Sequence, residues 1–281
     1  MIDSHAHVIT DDAKYPTAPE NLKPGDLDDP MTVERLIGEM DRAGVAKAVL
    51  VQRGSVYGFD NSYVCDCAGR FPERVAAVCS IDGASPEGAA AVRRWVGERG
   101  AAGVRLMELT RGSDLSWLYS DTALEVWRAA HELGTSVCVH FFPWNRTAGL
   151  TALREVLDQL PGLQVVVDHF SNMDVAAGAP DYGMDQLFTA VADVPGVRTK
   201  FTTIPLGRLD EAGVEFAPIL HRVLGVFGAE RVMWGSDITQ SKGSYDYMAE
   251  LGRRAVATLS GQQQRQVLEE SVLAVYGKAW A

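Results

Sequence analysis

The sequence predicts a (β/α)8 barrel formed as a single domain over residues 1–281, and three observations carry that expectation. Short β-rich runs alternate with helical patterns from one end of the chain to the other. Eight such runs can be read, the strand number of a closed barrel. The rival doubly wound sheet usually carries a glycine-rich phosphate turn after its first strand, and here that place is taken by HAHVITDD. The length suits a barrel, since these run to about 250 residues as one domain.

The strands are expected at 1–7 (MIDSHAH), 46–52 (AKAVLVQ), 75–81 (VAAVCSI), 103–107 (GVRLM), 136–141 (SVCVHF), 164–170 (QVVVDHF), 197–202 (VRTKFT) and 231–237 (RVMWGSD). Periodic segments such as VERLIGEMDRAG and TALEVWRAAHELG lie between them, and most end in glycine, as helix C-termini commonly do. Residues 8–31, rich in proline and aspartate, form a long loop directly after the first strand. A loop of that length is usually functional or disordered, and at the catalytic rim it reads as a lid or substrate-contacting arm. The segment from Ser260 onward reads as a closing helix capped by that serine.

Composition excludes several classes. Lys and Arg number 26 against 37 Asp and Glu, a net charge of −11 with no basic run, so nucleic acid is not an expected partner. No apolar stretch reaches the roughly 18 residues of a spanning helix, so no membrane partner is expected. The N-terminus lacks the basic and apolar regions of a signal peptide, and four cysteines are too few for a stapled fold of this length. The cytoplasm is the expected compartment. Cys65 and Cys67, two apart in a helical pattern, point to different faces and do not read as a metal pair.

Six histidines occur, and four sit in or at the end of expected strands. His5 and His7 are two residues apart in strand 1, so the strand period of two puts both on one face. Inside a barrel that face is ordinarily Val, Ile and Leu, and two imidazoles there call for a shared cation. His140 ends strand 5, His169 ends strand 6 and Asp237 ends strand 8, where barrel enzymes place catalytic groups. His5, His7, His140 and Asp237 would give three-nitrogen, one-oxygen ligation with open positions, the pattern of catalytic zinc. His169 is then free to act as a general base, because imidazole titrates near neutrality. His131 and His221 fall in helices and read as surface or packing residues.

These residues, with VLVQRGSVYGFDN at 49–61, AAGVRLM at 101–107, VVVDHF at 165–170, VRTKFT at 197–202 and WGSD at 234–237, resemble the amidohydrolase superfamily. More narrowly, the chain is similar to the amidohydrolase-related branch that contains 2-pyrone-4,6-dicarboxylate lactonase, other lactonases and, further off, aminocarboxymuconate semialdehyde decarboxylase. The resemblance implies a site made of His5, His7, His140, His169 and Asp237. The first three and the aspartate hold one divalent ion, zinc first and manganese as an alternative, while His169 and Asp237 handle protons. Some lactonases of the branch work without metal, the strand-8 aspartate activating water directly. Two features depart from the branch. A Met-Gly-Arg-like turn after the strand-6 histidine is replaced by Phe170-Ser171-Asn172, which removes an arginine suited to a dicarboxylate. A proline-containing turn after WGSD is replaced by Ile238-Thr239-Gln240.

Arg105 in strand 4 and Lys200 in strand 7 are spaced to line the interior, where each needs either a substrate anion or an internal carboxylate. Arg53, Arg111, Arg146 and Arg208 fall in loops after strands, and cations around the rim of an acidic protein favour an anionic substrate. Tyr57 and Trp144 head a group of loop aromatics that would line an apolar pocket. Glu108 could bridge a second metal only if it pointed inward, and alternation aims it away from Arg105. The expected reaction is opening of a lactone or related cyclic ester that carries a carboxylate. The alternative is a decarboxylase of an aromatic or muconate-like acid, and a barrel that binds without catalysis is a third class that the intact His/Asp set disfavours. Related barrels often pair through their helices, so a homo-oligomer stays open, with no stripe here to mark its interface.

Overall fold

The computed structural model describes every residue except Lys23 and Ser113. Eight parallel strands follow one another in order: β1 Ile2–Ala6, β2 Lys47–Val51, β3 Val75–Ser80, β4 Gly103–Met107, β5 Ser136–His140, β6 Val165–Val167, β7 Val197–Thr202 and β8 Val232–Gly235. Each is joined to the next through helical segments that cover the outside. The ring is drawn together where β8 meets β1. Asp237 N–H donates to His5 O (2.7 Å), and the buried Asp3 carboxylate accepts from the N–H groups of His5 and Ser236 (both 2.9 Å) and from Tyr245 Oη–H (3.0 Å). This is the (β/α)8 barrel that the alternation predicts.

The core has two parts. A large apolar layer lies between strands and helices, with Ala48, Leu50, Val104, Leu106, Val139 and Phe201 among its members. A small one fills the lower interior with Ile2, Val49, Val51, Val78, Cys138, Val166 and Met233, against Val272 and Tyr276 of the closing helix Ser271–Tyr276. Above this plug the interior turns polar. Two strand details produce that change. In β1 the register shifts between Asp3 and Ala6, and this bulge reverses the alternation. Ile2 therefore faces inward below it, while His5 and His7 face inward above it. In β6 the strand ends at Val167 rather than continuing to Phe170, and His169, Phe170, Ser171 and Asn172 follow in the left-handed region (φ 51° to 54°). The turn is held by Asn172 Nδ2 donating to Phe141 O (2.6 Å) and by Arg146 Nε donating to Ser171 Oγ (3.0 Å).

The described residues of the segment 8–31 pack as an arm over the upper rim. Val8, Ile9, Tyr15 and Met31 are buried, and Ile9 N–H donates to Met31 O (2.8 Å) to close its base. No helix among the described residues is long and apolar enough to cross a membrane.

Candidate active site

One of the expected ligands has its protonation fixed by what it touches. His7 Nδ1 lies 2.6 Å from Val51 O. A carbonyl only accepts, so Nδ1 carries the proton and Nε2 presents a bare lone pair. That lone pair faces Asp237 Oδ1 at 3.4 Å. His5 Nδ1 lies between Asp168 Oδ1 (3.3 Å) and the Lys200 ammonium (3.4 Å); its Nε2 faces Asp237 Oδ1 at 3.6 Å and is buried with no hydrogen-bond partner. Burial pushes the pKa of both histidines down, well down for His5. For Asp237, burial pushes the pKa up, but the neighbouring His7, His169 and Ser241 outweigh it and hold the carboxyl below its ordinary value. The ligand atoms of His5, His7 and Asp237 lie within 4.8 Å of one another. A cation is what such an arrangement accommodates. The residues present fit a divalent ion.

The remaining expected residues are placed as follows. His140 ends β5 as expected, with its ring centre 5.0 Å from that of His169 and its Nδ1 buried without a partner. It belongs to neither group of ligand atoms that lie within 4.8 Å, so the expected set of four is gathered as three plus one. His169 is buried in its left-handed turn with Nδ1 2.7 Å from Thr202 Oγ1, and its ring centre is 4.8 Å from that of His5. Burial pushes its pKa well down, against the pull of Asp237. Asp237 also sits at positive φ (56°), with Ser241 Oγ–H donating to Oδ2 (3.0 Å).

Arg105 faces inward and its Nε donates to Asp168 Oδ2 (3.0 Å), while its side chain also lines the cavity above. Lys200 does not line that cavity. Its ammonium is wholly buried one layer lower, 3.3 Å from Asp168 Oδ1 and 3.4 Å from His5 Nδ1. Tyr57 does not line it either: its hydroxyl accepts from Thr10 N–H (2.8 Å) and pins the arm to the turn after β2. Trp144 stands at the rim, 48% exposed, stacked on Phe142 with its indole N–H on Glu108 Oε2 (2.7 Å). Glu108 also accepts from Asn145 Nδ2 (2.8 Å) and Gly112 N–H (2.8 Å), a scaffold for the rim rather than a bridging ligand.

Sequence reasoning missed Asp168. Burial pushes its carboxyl up, but Lys200, His5 and Arg105 together hold it well below the usual range. It is the shared counter-charge of the interior and the group that orients His5. The signal is present in the sequence, because Asp168 has the same strand parity as the inward Val166, but the neighbouring histidine is the more conspicuous candidate. Asp3, which braces the bulge, is missed for a similar reason, being one residue in an N-terminal strand whose histidines dominate the reading.

The upper interior of the barrel thus gathers histidines and aspartates into groups that could hold a metal ion. The amidohydrolase family matches residues 2–278, and the chain belongs to it. It is 28% identical over 248 residues to an L-fucono-1,5-lactonase of Burkholderia ambifaria, covering 84% of this chain and 79% of that protein. Among solved structures it resembles an amidohydrolase from Burkholderia multivorans with bound zinc (TM-score 0.75, 19% identity, 98% of each chain). It also resembles a probable 2-pyrone-4,6-dicarboxylic acid hydrolase from Acinetobacter baumannii with citric acid bound (TM-score 0.74, 20% identity, 98% of each chain). At these identities the structural likenesses establish the fold.

Proposed function

We propose that this chain is a metal-dependent hydrolase that opens a lactone or related cyclic ester of a small, carboxylate-bearing molecule. The observation that carries the reading is the convergence of His5 Nε2 (3.6 Å) and His7 Nε2 (3.4 Å) on Asp237 Oδ1. His5, His7 and Asp237 would hold the ion, with His140 on the adjoining strand as the further donor. A divalent ion there, zinc first and manganese as the alternative, would supply Lewis acidity toward a water and a substrate carbonyl. Asp237, which accepts from Ser241, would take a proton from water. His169, backed by Thr202, would receive and return one at the leaving oxygen. Arg105 offers positive charge to an anionic substrate, and the lactonase similarity supports the ester class. The four cysteines, all free and buried, suit work in the cytoplasm.

The test is elemental analysis of untagged protein combined with a lactone panel followed by pH-stat and by CO2 release. About one zinc or manganese per chain, with acid release and no CO2, is the expected result. Proton uptake with CO2 release from carboxylated substrates would replace hydrolysis with decarboxylation. Lactone opening by protein that stays metal-free after incubation with divalent ions would refute the metal dependence and leave Asp237 as the direct activator of water.

A further inference from the structure

Arg53 has no normal hydrogen bond, although it is only 3% exposed. Its Nε and Nη1 are buried with no partner. Its Nη2 is 3.5 Å from Thr239 O and 3.6 Å from Asp26 Oδ1, both beyond the roughly 2.7–3.2 Å of a good N–H···O contact. Buried guanidinium groups are ordinarily paired, because an unmet charged donor is costly. Arg53 lines a cavity of about 200 Å3 together with His7, Ser55, Arg105, Gln240 and, engaged by Trp144, Asn145 and Gly112, Glu108. The Ser55 hydroxyl is likewise buried without a partner. Of the two arginines at this cavity, Arg105 already spends its Nε on Asp168. Arg53 has no comparable bond, its contacts to Thr239 and Asp26 being 3.5 and 3.6 Å.

We infer that Arg53 and Ser55, on the turn after β2, form the subsite for the carboxylate of the substrate, with the reacting carbonyl at the His7 end of the same cavity. The inference rests on the lactonase reading and narrows it. The substrate is an anionic lactone rather than a neutral sugar lactone. A cavity of about 200 Å3 is smaller than the roughly 300–1,000 Å3 of drug-sized pockets and takes one ring with a short substituent. Arg53 and Arg105 line the cavity together, so a carboxylate there would meet two positive charges.

The test uses the metal-loaded enzyme and a matched pair: a δ-valerolactone with a ring carboxylate, and its methyl ester. Glutarate binding is followed in parallel by calorimetry. The wild type should prefer the acid, and Arg53→Gln should cut that preference, and the glutarate affinity, by about 10- to 150-fold. Arg53→Lys should keep part of both, and Ser55→Ala should lower both by a few-fold. These two variants carry the test if Arg53→Gln does not fold. An unchanged preference and glutarate affinity in folded variants would overturn the subsite, as would a wild type that binds no glutarate. Glutarate held through Arg53 by an enzyme that opens neither lactone would uphold the subsite and reject the lactonase reading. Lactone opening with glutarate affinity indifferent to Arg53 would do the reverse.

Discussion

Replacing Asp168 by asparagine should destabilise the barrel out of proportion to the single oxygen changed. In the native interior the carboxylate contacts Arg105 Nε at 3.0 Å and Lys200 Nζ at 3.3 Å, and Asp168 and Lys200 are wholly buried. The amide of the Asp168→Asn variant would keep the shape and lose the charge, leaving two cations without a counter-ion in a region walled by Val166, Cys138 and Met233. Breaking a buried pair in this way costs about 3–5 kcal/mol, mainly because the remaining charge is stranded. For 281 residues the unfolding entropy is about 0.6 kcal/mol/K, so the melting temperature should fall by about 5–8 °C. Differential scanning calorimetry at pH 7 measures this directly. Lys200→Met in the Asp168→Asn background should cost much less than in the wild type, with a coupling of about 1–3 kcal/mol. The pH dependence has a definite sign. The Asp168 pKa is depressed in the folded state, so its stabilisation is present above the unfolded carboxylate value and is lost as pH falls through the folded one. The gap between wild type and Asp168→Asn should therefore be full at neutral pH and close only in strong acid, below the ordinary value of 3.8. A fall of less than about 2 °C, or strictly additive effects with Lys200→Met, would refute the argument.

Four further expectations follow from the same geometry. Asp237→Asn should abolish turnover with little change in far-UV circular dichroism, and a near-native rate would remove Asp237 from the reaction. His169→Ala should lower kcat by about 100- to 10,000-fold while metal content measured by plasma mass spectrometry stays constant; loss of the metal would make His169 a ligand. Arg105→Met should lower the melting temperature as well as raise KM, because its Nε is committed to Asp168; a KM effect without any stability loss would contradict that pairing. Gly235→Ala would set a methyl group 2.6 Å from His5 Cβ, so the variant should lose metal affinity in a chelator competition, and unchanged affinity would show that β1 can yield.

The barrel was legible because its evidence is repeated eight times. Each strand is a short apolar run, and each expected boundary is set by turn chemistry that local sequence carries. The candidate site was legible where it follows strand parity, as with His5 and His7 sharing a face. It became obscure where the backbone departs from parity. The bulge in β1 decides that the shared face of His5 and His7 is the inner one, and nothing in MIDSHAH announces an extra residue. The early end of β6 places Asp168 and His169 in the interior together, although alternation along a continuous strand would have sent them to opposite faces. Lys200 and Arg105 were readable as inward cations, but their partner depended on a register across β4, β6 and β7 that no single segment contains.

The departures from regular backbone lie where the chemistry is. His169, Asp237 and Thr239 all occupy the left-handed region, which disfavours side chains with a Cβ and persists only where the surroundings over-determine it. At Asp237 the compensation is visible: its N–H donates to His5 O, and its carbonyl accepts from Gln240 N–H (3.1 Å) and Ser241 N–H (3.0 Å). The same turn thus closes the barrel, points the carboxylate at the two β1 histidines and brings Ser241 onto its second oxygen. At His169 the turn is tied to the neighbouring strand through Asn172 and Phe141. Strain at these two strand ends is offset by contacts made to β1 and to the turn after β5. A substitution that weakens either contact, such as Asn172→Ala, should therefore disturb the imidazole or carboxylate before it disturbs the fold. The sensitive measurement is kcat, with the melting temperature as the control; an equal loss in both would mean that the turn is held for stability alone.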